Sequence, residues 1–130
     1  MSIDDKYGKF NGKELDYLSE YLDSEGDSNE KPWVQRLEES VSNFVGSKYA
    51  VACNSGTSGL HMAMAACNIG PGDEVITPGL TVVMDAYAVI HVGATPVFVD
   101  IDRATYGISA QEIQKNITDK TKAIVTVSLQ

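Results

Sequence analysis

Residues 53–60 read Cys53-Asn54-Ser55-Gly56-Thr57-Ser58-Gly59-Leu60, and the fold turns on how this stretch is read. Before it stand Tyr49, Ala50, Val51, Ala52 and Cys53, a short apolar segment of β type. After it Leu60, Ala63, Met64 and Cys67 recur at helical spacing, so the glycines and hydroxyls fall at a strand-to-helix turn. Such a turn presents unpaired backbone N–H groups at the positive end of a helix dipole, here beside the hydroxyls of Ser55, Thr57 and Ser58. It suits a phosphate or another anion. Ser, Thr and Asn are equally the preferred N-caps of helices that bind nothing, so the turn alone leaves both readings open.

From Tyr49 onward, short β-type runs alternate with helical patterns. Strands are expected at Tyr49 to Cys53, Glu74 to Thr77, Pro96 to Asp100 and Lys122 to Leu129, and helices at about Thr57 to Asn68, Leu80 to Val92 and Ser109 to Ile117. Gly70-Pro71-Gly72-Asp73 makes a turn into the second strand, and Gly93 closes the helix before the third. The order βαβαβαβ, with strands apolar almost throughout, predicts an α/β fold: a largely parallel sheet flanked by helices. Ligands in such sheets bind beyond the carboxyl ends of strands, and the turn at Asn54 to Thr57 lies at one of those ends.

Upstream, Leu15, Leu18 and Leu22 with Tyr17 and Tyr21 predict an amphipathic helix from Gly12 to Asp23. The run from Ser24 to Glu30 contains no apolar residue and reads as a loop or hinge, so residues 1–31 form an N-terminal helix and polar linker. Pro32 then suits the first turn of a helix whose core side is Val34, Leu37, Val41 and Phe44, with Gly46 as its stop. Arg36, Glu38 and Glu39 read as its solvated face.

With 130 residues and 43% hydrophobic content, the chain can bury a sizeable core. A net charge of −8 and a pI near 4.5 work against a nucleic-acid backbone or an anionic membrane surface as partner. Apolar runs are too short to span a bilayer, and Met1 to Asp5 lacks the features of a signal peptide, so the expected address is the cytoplasm. Cys53 and Cys67 have no CxxC partner and fall on apolar faces, which predicts buried free thiols. Asp100 and Asp102 alternate on one strand face but read as solvated or capping acids, and no metal site is expected. His61 and His91 have no partner in sequence and read as surface or core-edge side chains. Asn116-Ile117-Thr118 fits a glycosylation acceptor that a cytoplasmic protein would not use.

Several phosphate-binding chemistries are excluded. A dinucleotide fingerprint needs G-x-G-x-x-G, and Asn54 stands where its first glycine belongs. The next strand ends at Thr77 and Pro78 without the acidic residue that holds a ribose. No Gly-Lys-Ser/Thr follows the turn, and Ser58 is followed directly by Gly59, so neither a P-loop nor a hydrolase elbow fits. What is left is a generic phosphate cup.

Four motifs in order then carry a resemblance: Asn54-Ser55-Gly56-Thr57-Ser58-Gly59-Leu60-His61; Gly70-Pro71-Gly72-Asp73-Glu74-Val75-Ile76-Thr77-Pro78; Gly93-Ala94-Thr95-Pro96-Val97-Phe98-Val99-Asp100-Ile101-Asp102; and Ile117-Thr118-Asp119-Lys120-Thr121-Lys122-Ala123-Ile124. From about Trp33 onward the chain resembles the N-terminal part of the DegT/DnrJ/EryC1/StrS aminotransferases, pyridoxal-phosphate enzymes of the aspartate-aminotransferase fold (fold type I) that act mostly on nucleotide-linked keto-sugars. Pro32-Trp33-Val34 with Leu37-Glu38 resembles the helix preceding their large domain. The resemblance implies that residues 32–130 are part of that domain. It implies pyridoxal 5'-phosphate as cofactor, with Ser55, Gly56 and Thr57 matching the cup for its phosphate. Val82 matches a position where an aromatic residue often stacks on the pyridine ring. An aliphatic residue there forgoes about 0.5–1.5 kcal/mol of stacking. Met84, Asp85 and Tyr87 depart from the family's common small residues.

In the resembling family the Schiff-base lysine and the acidic partner of the pyridine nitrogen lie beyond the equivalent of Gln130. The lysines here (Lys6, Lys9, Lys13, Lys31, Lys48, Lys115, Lys120 and Lys122) stand in polar contexts, unlike the desolvated surroundings that activate a catalytic amine. No catalytic residue is therefore assigned to this chain. The expectation is an N-terminal portion of a longer aminotransferase, inactive alone and binding its cofactor weakly or not at all. The parent's substrates would be an amino acid, glutamate foremost, and a nucleotide-linked keto-sugar, and the assembly a homo-oligomer. Two alternatives stay open: keto-sugar 3-dehydration on the same fold, and a non-catalytic α/β binding or assembly module.

Overall fold

The computed structural model describes residues 13–24 and 33–128. The expectations for Gly12, for the linker from Glu25, for Pro32 and for Leu129 lie outside them. The chain divides into two compact units, Met1–Ala52 and Cys53–Gln130.

In the first unit, helix α1 spans Lys13–Asp23 and helix α2 spans Trp33–Val45. They meet through Trp33. Tyr17 and Tyr21 present their rings edge-on to it at 6.1 and 6.2 Å, while the Arg36 guanidinium lies 4.2 Å above the same ring and reaches Glu20 at 2.7 Å. Edge-to-face rings and a cation over an indole are each worth about 0.5–1.5 kcal/mol. The predicted core side of α2 is corrected here: Val34, Leu37, Val41 and Phe44 are exposed, Phe44 at 89%. The periodicity is genuine, but among the described residues nothing covers the stripe. The supposedly solvated face is the bonded one, with Arg36 on Trp33 and Glu38 accepting from the Ala52 amide at 2.8 Å. Gly46 ends α2 at φ +72°, the left-handed conformation that glycine adopts without a Cβ penalty.

The second unit is the α/β layer. Helix α3 (Gly56–Ala66) leads to strand β1 (Glu74–Pro78), helix α4 (Met84–His91), strand β2 (Thr95–Val99), helix α5 (Ala110–Asn116) and strand β3 (Thr121–Ile124). The sheet is parallel with order β2-β1-β3. Glu74 pairs with Thr95 on one side and with Thr121 on the other, where the register shifts between Glu74 and Val75. Val75, Ile76 and Thr77 are fully buried, so the central strand is covered on both faces. The outer strands are not: Phe98 on β2 is 59% exposed and Ile124 on β3 is 42% exposed.

The core joins Met64 of α3, Ile69, Val75, Val89 of α4 and Ala94, with Val92, Ala123 and Val125 against it. Full burial of a side chain the size of Val, Ile or Met contributes about 1.5–3 kcal/mol. Gly93 closes α4 at φ +79° beside Pro71, whose Cγ would lie 3.0 Å from an added Cβ. That approach and the positive φ explain why position 93 needs glycine.

One expected strand is missing. Tyr49 to Cys53 forms no strand, and Tyr49 and Val51 are 73% and 70% exposed. Among the described residues it has no neighbouring strand to pair with, and β propensity expresses itself only against a partner. The two cysteines are free, as expected, but exposed and not buried. Cys53 lies in this unpaired segment and Cys67 at the C-cap of α3.

Candidate functional site

Helix α3 begins as its sequence requires. Ser55 is extended (φ −162°, ψ 161°) and its Oγ accepts from the Ser58 amide at 3.2 Å, while its carbonyl accepts from the Gly59 amide at 3.0 Å. Ser58 Oγ donates to Asn54 Oδ1 at 2.6 Å. These bonds leave the amides of Gly56 and Thr57 and the Thr57 hydroxyl without a protein partner among the described residues. Two directed donors at the start of an 11-residue helix sum the dipole and hydrogen-bond terms that favour an anion. Ser55 and Ser58 build the cap, and the amides of Gly56 and Thr57 take no part in it.

Strand β1 ends at Pro78, and the chain crosses Gly79 to Val83 into α4. The Gly79 amide donates to the Val99 carbonyl at 2.9 Å, tying this loop to the end of β2. Beyond it an open cavity of about 560 Å³ is lined by Gly56, Thr57, Gly59, Leu60, Val82, Met84 and Asp85. Three of the four residues singled out in the sequence, Gly56, Thr57 and Val82, therefore share one cavity. Ser55, the cap, is not among the lining residues. No atom lies within 4 Å of a Cβ added at Gly56, so the space against that backbone is free for a ligand. The donors and this free space fit a phosphate group.

Sequence reasoning missed Asp85 as part of this wall. It is 8% exposed, and one carboxylate oxygen, Oδ2, accepts from Thr81 Oγ1. The legible signal was a hydroxyl four positions before an acid at a helix start. Among the described residues no lysine lines the cavity. Lys115 pairs with Glu112 at 2.6 Å, and Lys48 Nζ lies 5.0 Å from the centre of the Tyr49 ring.

The other polar candidates resolve locally. Asp102 accepts from the amides of Thr105 and Ala104, each at 2.9 Å, and these bonds hold its carboxyl below the ordinary aspartate range. It caps a turn, and no group of three or more potential ligands for a metal occurs among the described residues. His61 and His91 are not solitary: their rings meet edge-on at 5.6 Å across α3 and α4, and His91 stacks on Tyr87. No helix among the described residues is long and apolar enough to cross a membrane.

Comparison with known proteins fits this geometry. The model of the DegT/DnrJ/EryC1/StrS aminotransferase family matches residues 9–130. A GDP-perosamine synthase of Caulobacter vibrioides is 42% identical over 121 residues, covering 93% of this chain and 33% of that protein. An aminotransferase from Psychrobacter cryohalolentis superposes with a TM-score of 0.81 at 38% identity, over 94% of this chain and 31% of its own. A GDP-4-keto-6-deoxymannose-3-dehydratase holding a trapped PLP-glutamate geminal diamine superposes at 0.78 with 30% identity, over 91% and 32%. The chain spans about a third of the length of these relatives.

Proposed function

We propose, from the premise that the chain belongs to the DegT/DnrJ/EryC1/StrS aminotransferase family, that it is the phosphate-anchoring part of a pyridoxal-phosphate enzyme. That enzyme moves an amino group from an amino acid, glutamate foremost, to a nucleotide-linked keto-sugar in the cytoplasm. The observation that carries the reading is that Gly56 and Thr57, whose amides have no protein partner among the described residues, line one cavity with Val82. In this reading Gly56 and Thr57 hold the cofactor phosphate and Ser55 keeps the helix start in place. Val82, 68% exposed, gives the ring an aliphatic contact. When bound, the cofactor supplies the electron-withdrawing ring that amino transfer needs.

Residues 32–130 then belong to one large domain, whose covalent lysine and ring-nitrogen partner come from sequence outside these 130 residues. The polar surroundings of the described lysines support that division of labour. The dehydratase among the structural relatives keeps 3-dehydration of a keto-sugar as the second reading.

The test is spectroscopic. After dialysis against pyridoxal phosphate, the 130-residue chain is expected to be colourless and to transfer no amino group from glutamate to a keto-sugar nucleotide. A chain extended through a lysine motif is expected to do both. Borohydride reduction that fixes the cofactor on one lysine within residues 1–130, together with turnover, overturns the division of labour.

A further inference from the structure

Both histidines of the chain meet on one seam. His61 stands on the second turn of α3 and His91 is the last residue of α4, two helices packed against each other. Their ring centres lie 5.6 Å apart with the planes at 65°, and Tyr87, one turn earlier on α4, stacks on His91 with the planes 18° apart. Their ring nitrogens have no hydrogen-bond or ion-pair partner among the described residues. His91 is exposed, and no nitrogen of the half-buried His61 is sealed from solvent. These nitrogens are therefore free to take a ligand. Two imidazoles that bind one metal ion at about 2.0–2.1 Å hold their ring centres roughly 4.5–5.5 Å apart, depending on the angle at the metal, close to the observed separation. Rotation about the terminal χ2 torsion of histidine is soft, so turning the rings aims one nitrogen of each at a common point.

We propose that His61 and His91 form a two-histidine site for a divalent late transition-metal ion of the Ni²⁺, Cu²⁺ and Zn²⁺ class, which ties α3 to α4. Imidazole suits these ions, whereas Mg²⁺ and Ca²⁺ take oxygen ligands. No further histidine, cysteine or carboxylate joins the pair into a larger group among the described residues. Water fills the remaining positions, and the ion is exchangeable, unlike the metal of a closed structural site. The net charge of −8 favours the approach of a cation, and the stack on Tyr87 limits how far the His91 ring can swing. Neither histidine lines the cavity of Gly56 and Thr57, so the site stands independently of the cofactor reading. An ion held by both rings opposes separation of the two helices and stabilises the packed state over the unfolded one.

The experiment titrates the isotope-labelled 130-residue chain with NiCl₂ in a chelator-free buffer and follows the backbone amides by NMR, because paramagnetic Ni²⁺ broadens the signals nearest to it. Broadening should centre on His61, Tyr87 and His91. It should be reversed by acid, since a ring binds a metal only through an unprotonated nitrogen, and should persist in excess Mg²⁺. His91→Gln, at an exposed position, and His61→Gln should each weaken binding about tenfold or more, because a lone ring loses the second, intramolecular contact. With ZnCl₂ the urea midpoint of the wild-type chain should rise and that of His91→Gln should not. Broadening centred on Cys53, Cys67 or the acidic side chains overturns the proposal, as does equal affinity of the wild-type chain and a natively dispersed His91→Gln variant. If His61→Gln does not fold, the broadening map of the wild-type chain and the affinity of His91→Gln decide.

Discussion

Thr118 Oγ1 donates to Glu74 Oε2 at 2.6 Å across 44 positions of sequence, joining the loop before β3 to the first residue of β1. The same pair of segments is bonded by the Glu74 amide, which donates to the Lys120 carbonyl at 2.8 Å. Together they set where β3 begins against the central strand, next to the register shift at Glu74 and Val75.

Thr118→Ala removes the side-chain half of that clamp. Because both residues are partly open to water, the expected loss is about 1 kcal/mol, read as a lower urea midpoint. Faster amide exchange at Ala123 and Ile124 should accompany it, with α3 and α4 unchanged. Uniform loss of protection throughout the unit would contradict a local clamp.

Cap and cup at the start of α3 separate by mutation. Ser55→Ala deletes the acceptor for the Ser58 amide and should cost about 1 kcal/mol of stability. Thr57→Ala touches no protein bond and should leave stability within about 0.5 kcal/mol while weakening phosphate binding. Denaturation and phosphate titration of both variants check this, and equal stability losses would merge the two roles.

Acid should loosen the turn after β2. The Asp102 carboxyl is held low by the amides of Thr105 and Ala104, so its contribution is present above the unfolded-state value. That contribution disappears as pH falls through the lower folded-state value. Amide shifts of Ala104 and Thr105 should therefore titrate below the ordinary aspartate range, and Asp102→Asn should flatten them. A midpoint at or above that range would refute the account.

Association is the expected solution behaviour. Phe44 and Phe98 stand open, and β2 and β3 are both edges of a three-stranded sheet. Exposed apolar patches and unpaired edges drive self-contact. Light scattering should find a dimer or larger species, weakened by Phe98→Lys on the outer strand. A stable monomer at about 10 μM and above would count against it.

The elements read most easily from sequence were those whose signals are local. Gly56–Ala66 follows from its cap and apolar spacing, Glu74–Pro78 from a short apolar run after a glycine turn, and both ends at Gly46 and Gly93 from the need for positive φ. Tyr49 to Cys53 failed because a strand is defined by a neighbour, and its residues carry no record of whether one is present. The same holds for the stripe on α2. In the candidate site, the unpartnered amides of Gly56 and Thr57 were legible because helix starts have a grammar, and the family resemblance pointed to Val82, which lines the same cavity. The place of Asp85 in the wall and the meeting of His61 with His91 depend on how α3 and α4 pack, which no local spacing encodes.

The strand order has a consequence for how the chain is made. The central strand is synthesised before either neighbour, and its second edge waits for residues 121–124. At a translation rate of about 5–20 residues per second, roughly 1–5 s pass between completion of β2 and completion of β3. Through that interval a growing chain clear of the ribosome carries Glu74, Val75 and Ile76 with one row of backbone groups unpaired. Whatever guards that edge in the cell, a chaperone or the pace of elongation, acts on this strand.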